Sequence, residues 1–319
     1  MTKKMLFIFP GYYGFNDVIL DGFKKYTDYE IVNINPVNKY KYKNFFEKAL
    51  NAFAKIFLNI NLKKKYFIEK SIIKTIKDIN NVDVLFVNRP DLLSTKALGI
   101  LQNKCPNRIA LYWDSFDKIP ETFCTLKFFN KPFTFDSLDS KKYNIPLISN
   151  FYLEQNNENK NNTEYDFFFL GTYDARYDTL LLIFDKLVEK GFRCGGIIFH
   201  EKLSTIINKK DYLNYTNKTI PFKKSFSIAK NSKYILDLSH SNQRGLSFRV
   251  FEAISLNKKL ITTNKEVYNQ DFYSENNIFV LEDIYSDIPN SFLSSEYQKI
   301  DKKIIEKYSQ RLWVQRILN

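Results

Sequence analysis

The chain has 319 residues, 44% of them hydrophobic, and a formal net charge of +13 that comes almost wholly from lysine. This length and apolar content predict a globular protein with two domains. The first apolar run, MLFIFPGYYGF, is too short to span a membrane, and three cysteines without CxxC spacing argue against a disulfide framework or a zinc ribbon. Because neither secretion nor membrane insertion is signalled, we expect a cytosolic protein. Two histidines without an HExxH pattern argue against a histidine metal site.

The first half of the chain alternates strand-like and helix-like segments. The strand-like segments are MLFIFPG, YEIVNIN, VDVLFVN and RIALYW, with helical patterns near 17–27 and 91–103. Strands that alternate with helices indicate parallel βαβ units, so this half predicts a doubly wound parallel sheet.

A basic region lies within this half. Residues 39–77 contain eleven lysines, interleaved with apolar residues such as Phe46, Leu50 and Phe53 at helical spacing. Such a surface can lie on anionic lipid, or it can be the solvated face of helices that cover the core. Nucleic acid is a third partner to consider, although no recognition motif accompanies the charge.

The second half repeats the same alternation after a polar stretch. EQNNENKNNTE, at 154–164, lacks apolar residues and predicts a linker. Strand-like segments then follow, namely YDFFFLG, FRCGGIIF, KYILDLS, KKLITT and NIFVL, with helical patterns near 175–190, 222–231 and after residue 246. We therefore expect an N-terminal Rossmann-like domain at 1–153, a linker at 154–164, a C-terminal Rossmann-like domain at 165–300, and a C-terminal helix at 301–319 that packs back across the domain junction.

Glycine and arginine are scarce and gather after predicted strands. In open α/β sheets, ligands bind beyond the carboxyl ends of the strands, and arginine is a planar bidentate donor for anionic groups. The residues at such positions are Gly11, Gly14, Arg89, Gly171, Arg176, Arg244, Gly245 and Arg249.

The residue types in one of these loops, at 243–263, predict a ligand site. In QRGLSFRVFEAISLNKKLITT, at 243–263, Ser247 is the predicted N-cap of a helix whose first amides and dipole favour a phosphate. Arg249 and Glu252 share one helix face, where the carboxylate can accept ribose hydroxyls and the guanidinium can pair with phosphate or an acidic sugar. The alternative is an exposed helical ion pair of about 0.2–0.5 kcal/mol.

That loop resembles the donor-binding segment of GT-B glycosyltransferases. With FIFPGYYGF, RIALYWDSFDKIP, FTFDSLDSKKYNI and FFFLGTYDARYDTL, it is similar, along nearly the whole chain, to bacterial lipopolysaccharide-core, capsule and exopolysaccharide glycosyltransferases. The resemblance implies two Rossmann-like doubly wound domains that face each other across a cleft.

The resemblance also implies site residues. Glu252 would bind the nucleotide ribose, and the amides near Gly245 would bind the phosphates. Arg244 stands where the common pattern has an acid, which argues against an ordinary neutral hexose donor and allows an acidic or otherwise unusual one. The whole predicted donor site consists of Gly171, Thr172, Arg176, His240, Gln243, Arg244, Gly245, Ser247, Arg249 and Glu252.

The predicted chemistry needs an acceptor side as well. Asp114, at the end of a predicted strand, is the candidate general base, and Gly11, Tyr12, Gly14 and Arg89 are the candidate acceptor-side residues. Asp136 and Asp139 have DxxD spacing, which is not the DxD pattern of metal-dependent glycosyltransferases. Arginines and the helix dipole would stabilise the leaving phosphate without a metal.

The functional prediction is a glycosyltransferase that uses a nucleotide sugar to extend a cell-surface glycan. Its partners would be the nucleotide sugar, a glycan or glycolipid acceptor and an anionic membrane at the inner face of the cytoplasmic membrane, with no nucleic acid and no cofactor. The alternative is a basic, non-catalytic protein that binds nucleic acid or a membrane surface.

Overall fold

A computed structural model describes residues 2–37, 42, 44–57, 68–154, 163–240 and 244–319. The chain divides into two compact units, Met1–Ile148 and Ser149–Asn319. The predicted linker at 154–164 falls largely on residues 155–162, which lie outside the described residues.

The first unit is a parallel sheet with helices between its strands. Its strands are β1 Lys4–Ile8, β2 Glu30–Ile34, β3 Val84–Asn88, β4 Asn107–Tyr112 and β5 Lys131–Thr134. Its α-helices are α1 Phe15–Tyr26, α2 Phe45–Phe57, α3 Ile68–Asp78, α4 Thr95–Lys104 and α5 Ser137–Tyr143. The central strands are the most apolar: β3 is buried along its whole length, as expected for a strand covered on both faces.

The second unit repeats this plan. Its strands are β6 Tyr165–Thr172, β7 Cys194–Phe199, β8 Leu213–Thr216, β9 Ser232–Asp237, β10 Lys259–Thr262 and β11 Ile278–Val280. Its α-helices are α6 Tyr177–Glu189, α7 Phe222–Ala229, α8 Phe248–Ser255, α9 Asn290–Ser294, α10 Lys302–Glu306 and α11 Gln310–Leu318. Two buried clusters form its core, one around α6 and one around α8.

Strand order fixes where each sheet can bind a ligand. The first sheet has the order β2-β1-β3-β4-β5 and the second β11-β10-β9-β6-β7-β8, and the strand pairs described in both are parallel. The second order is that of dinucleotide-binding domains, read from the other edge. The direction in which successive strands are added to the sheet reverses between β1 and β3 in the first sheet and between β6 and β9 in the second. Ligands of such sheets bind beyond the carboxyl ends of the strands at these switch points.

Two strands of the structure were missed by the sequence prediction. β5 and β8 have four residues each and lie at sheet edges. β5 contains Pro132, which an edge strand tolerates because one side of its backbone needs no ladder partner. Neither strand has the long apolar run that identified the central strands.

Helix α2 turns its apolar residues outward. Phe46, Leu50 and Phe53 are exposed, whereas Asn51 and Ala54 on the opposite face are buried. The alternative that these apolar residues cover the core is therefore wrong for α2. It is right for α3, where Ile72 and Ile76 are buried in the core of the first unit.

The C-terminal segment forms two helices, α10 and α11, rather than one. Trp313 of α11 packs against Phe151, with ring centroids 4.9 Å apart, and the Tyr152 and Gln310 amides bond across the two segments. Residues 149–153, assigned from sequence to the first domain, thus contact the C-terminal helix. Its packing across the domain junction stays a prediction.

Within the part of the chain that the structure describes, no helix has the length and apolar character needed to cross a membrane.

Candidate active site

Polar and charged side chains meet at the switch point of the second sheet. They come from the ends of β6, β9 and β10 and from the first turns of α8. We call the following residues the switch-point cluster: Thr172, Asp174, Arg176, Asp237, Ser247, Arg249, Glu252 and Thr262.

The loop after β6 is held by an ion pair. Arg176 donates from Nε to Asp174 Oδ1 (2.9 Å) and from Nη2 to Asp174 Oδ2 (2.7 Å), and Thr172 Oγ1 donates to the same carboxylate (2.5 Å). Burial alone would raise the pKa of Asp174, but these hydrogen bonds lower it well below its ordinary value. His240 Nε2 lies 3.8 Å from Asp174 Oδ2.

Arg176 also joins the two sides of the switch point. Its Nη1 donates to the carbonyl of Leu238, directly after β9, at 2.8 Å. Most of its N–H groups are therefore engaged inside the protein, so Arg176 braces the loop in this structure. Gly171 is needed here for packing, because a Cβ atom would meet the ring of Phe169 at 2.7 Å.

The start of α8 is built as predicted. Ser247 caps the helix by accepting from the Arg249 amide (3.0 Å), and its hydroxyl donates to Asp237 Oδ1 (2.8 Å). Thr262 Oγ1 donates to Asp237 Oδ2 at 2.9 Å. Asp237, buried at the end of β9, thus ties the helix N-terminus to two neighbouring strands.

Glu252 is buried, which the sequence did not predict. Its side chain is 0% exposed and pairs through Oε2 with Arg249 Nη1, while Arg249 Nη2 donates to Ser225 Oγ at 3.0 Å. The alternative of an exposed helical ion pair is wrong in its exposure, because the pair forms but all residues from Val250 to Ile254 are buried. Glu252 Oε1 is also buried and has no hydrogen-bond partner among the described residues. A buried carboxylate oxygen without a donor is costly.

The two buried carboxyls of the cluster have raised pKa values. Burial raises the pKa of Glu252 to about 7, a rise that Arg249 opposes and Asp237 reinforces. Burial also raises the pKa of Asp237, against the hydrogen bonds from Ser247 and Thr262. Glu252 therefore exchanges its proton near neutral pH.

This exchange predicts a pH-dependent stability. Folding raises the pKa of Glu252 from 4.5 to about 7, so its contribution is fully present below about pH 4.5 and is lost as the pH rises to about 7. Glu252→Gln cannot ionise and escapes this loss. We expect the free energy of unfolding of the variant, relative to the parent, to improve by about 3 kcal/mol over that interval, measured by urea unfolding. Exposed Glu275→Gln is the control, and a pH-independent difference for Glu252→Gln would contradict a buried ionisable carboxyl.

The remaining predicted donor residues lie around the start of α8. Arg244 is exposed and Gly245 is buried, and both carbonyls accept from Asn264 Nδ2, at 3.1 and 3.3 Å. Gln243 lies outside the described residues.

The predicted acceptor-side residues meet at the switch point of the first sheet. Gly11, Tyr12 and Gly14 follow β1, where the Gly11 amide donates to Asn35 Oδ1 at 3.2 Å and Gly14 has a φ of 73°, a conformation that suits glycine. Arg89 follows β3 with a φ of 57°.

Arg89 is the electrostatic centre of this edge. It makes a bidentate pair with Asp91, at 2.8 and 2.7 Å. Its pKa is raised by Asp91 first, with smaller contributions from the charges of Asp114 and Tyr12, while burial lowers it. Asp114 follows β4, is partly exposed and pairs with Lys118 Nζ at 2.6 Å.

The DxxD pair is structural. Asp136 caps α5 by accepting from the amides of Leu138 (2.9 Å) and Asp139 (3.1 Å). Asp139 is buried and accepts from the Phe116 amide at 2.8 Å. Among the described residues, no three His, Cys, Asp or Glu side chains come together as a metal site.

Sequence reasoning missed three acids of these two edges. Asp91, Asp174 and Asp237 each lie at or shortly after the carboxyl end of a strand. For Asp91 and Asp174 that position was available from the sequence as a signal, because the same rule had selected Arg89 and Arg176, which they bind.

Solved structures of known proteins resemble the whole chain. A UDP-N-acetylglucosamine 2-epimerase from Rickettsia bellii has a TM-score of 0.55 at 10% identity, with 100% of this chain and 96% of that chain covered. An alpha-glucosyltransferase in complex with UDP and a 13-mer DNA containing an HMU base has a TM-score of 0.56 at 12% identity, with 99% and 93% covered. The alpha-glucosyltransferase in complex with UDP-glucose and DNA containing an abasic site has a TM-score of 0.50 at 14% identity, with 99% and 92% covered.

The chain has the GT-B fold of two Rossmann-like α/β domains, as the sequence predicted. No protein-family model and no curated protein match the sequence. At such low identity the likeness establishes the fold, which transferases and an epimerase share.

Proposed function

We propose that this protein is a glycosyltransferase that transfers a sugar from a nucleotide-sugar donor to a cell-surface glycan of the lipopolysaccharide-core, capsule or exopolysaccharide type. The observation that carries the proposal is the buried Glu252–Arg249 pair at the second switch point, in which Glu252 Oε1 lacks a donor among the described residues. A ribose hydroxyl is a suitable donor to this oxygen once the side chains that cover it move aside on donor binding. UDP and UDP-glucose in the similar solved structures favour a uridine nucleotide.

In this proposal the switch-point cluster binds the nucleotide-sugar donor, and the acceptor is deprotonated by a residue of the first domain. Glu252 accepts from the ribose, and the amides at the start of α8, capped by Ser247, stabilise the diphosphate as it leaves. Gly171, Thr172, Arg176 and His240 form the opposite wall of the donor site. Metal independence and Asp114 as the base belong to the same proposal.

Donor binding is the test. We expect calorimetric titration with UDP, CMP, GDP and dTDP to identify one nucleotide that binds the protein. Glu252→Gln should weaken that nucleotide roughly ten- to hundredfold, because a hydrogen bond to a charged acceptor contributes about 1.5–3 kcal/mol. Glutamine is used because alanine would leave Arg249 buried without its partner.

The control for this test is Glu275→Gln, the same change at an exposed glutamate of the same domain. It should bind the nucleotide like the parent. Equal affinity of Glu252→Gln and the parent would remove Glu252 from the site. If the titrated protein interconverts UDP-N-acetylglucosamine with its 2-epimer without any acceptor, the transferase proposal is wrong and the epimerase likeness extends to activity.

The sugar and the acceptor form the finer part of the proposal. Exposed Arg244 would read a negative group on the sugar, so Arg244→Glu should reduce turnover with an acidic donor more than with a neutral one. The acceptor would be a glycan or glycolipid at an anionic membrane. DNA in the similar glucosyltransferase structures makes duplex DNA the contrasting acceptor, and turnover with DNA but not with glycans would overturn the glycan assignment.

A further inference from the structure

Helix α2 presents an apolar stripe on the surface of the first domain. Five of its large side chains are between 54 and 81% exposed, namely Phe45, Phe46, Leu50, Phe53 and Ile56. At 100° per residue they fall within one arc of the helix, opposite the buried Asn51 and Ala54. The helix is thus oriented with its apolar face away from the core.

The size of the stripe sets it apart from ordinary exposed residues. Aromatic side chains bury about 150–250 Å² each, so the five side chains together expose roughly 600 Å² of mostly apolar surface. That is at the upper end of the patches found on monomeric proteins, and such patches mark interaction sites. It is less than the roughly 800 Å² per partner of a stable protein interface.

The charges beside the stripe select the partner. Lys48 and Lys55, seven residues apart, lie beyond the Phe45 edge of the stripe, towards the polar side of the helix, and both are exposed. In sequence, lysines 39, 41 and 43 precede the helix and lysines 63, 64 and 65 follow it. A second copy of this chain would bring the same lysines against one another, whereas anionic lipid headgroups would pair with them.

We propose that α2 is an interfacial helix that inserts its apolar stripe into an anionic lipid bilayer, with Lys48 and Lys55 at the headgroups. Thirteen residues make a helix of about 20 Å, which suits a position parallel to the membrane plane. The inference deepens the membrane contact proposed above and needs no catalysis, so it stands or falls separately from donor binding.

Vesicle flotation of the full chain tests the proposal. We expect binding to vesicles of phosphatidylcholine with phosphatidylglycerol and much weaker binding to phosphatidylcholine alone. Raising the salt from about 0.1 M to about 1 M, which shortens the screening length from about 10 to about 3 Å, should reduce binding without abolishing it, since the apolar contribution persists. Phe46→Ser with Phe53→Ser should weaken binding at least roughly tenfold.

The matched control is Ile207→Ser with Tyr285→Ser, which removes two exposed large side chains of the second domain. It should float like the parent, and both double variants should bind the nucleotide unchanged. Phe46→Trp should shift its fluorescence to the blue on vesicles and be quenched by brominated lipid.

Three results would overturn the proposal. The first is equal flotation of the Phe46 and Phe53 double variant and the parent. The second is binding without any fluorescence shift of Phe46→Trp, which would leave the lysines alone at the membrane. The third is a lipid-free dimer, seen by light scattering, that the same double variant abolishes, because a second copy would then occupy the stripe.

Discussion

Arg249→Ala is expected to lower the free energy of unfolding of the second domain by about 3–5 kcal/mol at pH 8. At that pH Glu252 is largely ionised, and removing the guanidinium leaves a buried carboxylate without its paired charge beside a second buried carboxyl, Asp237. Denaturant unfolding followed by the fluorescence of Trp313, in a Trp113→Phe background, reports on this domain, because the chain has two tryptophans and one lies in each unit.

Two further variants make that experiment specific. Arg244→Ala removes an exposed arginine of the same loop and should change stability by no more than about 0.5 kcal/mol. Arg249→Lys keeps the charge and loses the planar fork that reaches both Glu252 and Ser225, so it should fall between parent and alanine. Equal, small losses for Arg249→Ala and Arg244→Ala would mean that Glu252 is not held by this pair.

Asp114→Asn is expected to lower kcat by about a hundred- to ten-thousandfold, the usual contribution of a general base. Its effect on the dissociation constant of the donor nucleotide should be small, because the proposed donor residues lie in the other domain. The measurement is the rate at which the nucleotide is released. The donor is a sugar conjugate of the nucleotide that titration identifies, and the acceptor is a hydroxyl compound that supports turnover.

Asp117→Asn is the matched control for Asp114→Asn. It makes the same change three residues away in the same loop and should retain turnover close to that of the parent. If Asp114→Asn keeps more than about a tenth of the parental kcat, the acceptor is deprotonated by another group. The ion pair between Asp114 and Lys118 would then serve only to hold the loop after β4 in place.

The fold could be predicted from sequence for those strands and helices that are buried on one face or on both faces, because their apolar residues then form a recognisable pattern. β3 and β6 are apolar runs between turn residues, so their strand character is visible without any partner. β5 and β8 are short edge strands whose pairing depends on a neighbour that is distant in sequence. Helical periodicity likewise identified α2 but could not say that its apolar face lies outward.

The local geometry at the start of α8 could be predicted from the sequence, whereas the burial of the candidate site could not. Ser247 is recognisable as an N-cap because capping is local, and its bond to the Arg249 amide confirms it. The burial of Glu252 depends on what covers α8 on every side, and glutamate is rarely enclosed unless paired. Asp237 was missed for a related reason, since a carboxylate that ties two strands to a helix is visible only when all three are assembled.

The two sheets have the same strand order when the edge strand β8 is left out of the second sheet. Without β8, the second order reads β11-β10-β9-β6-β7, which matches β5-β4-β3-β1-β2 strand for strand. An edge strand has a single neighbour, so leaving it out does not disturb the remaining ladder or the reversal point. In the first domain the stretch between β2 and β3 carries α2 and α3, where the second domain places β8 and α7. The two halves thus share one strand order and differ in the stretch after their second strand, which holds the exposed helix α2 in the first half and the edge strand β8 in the second.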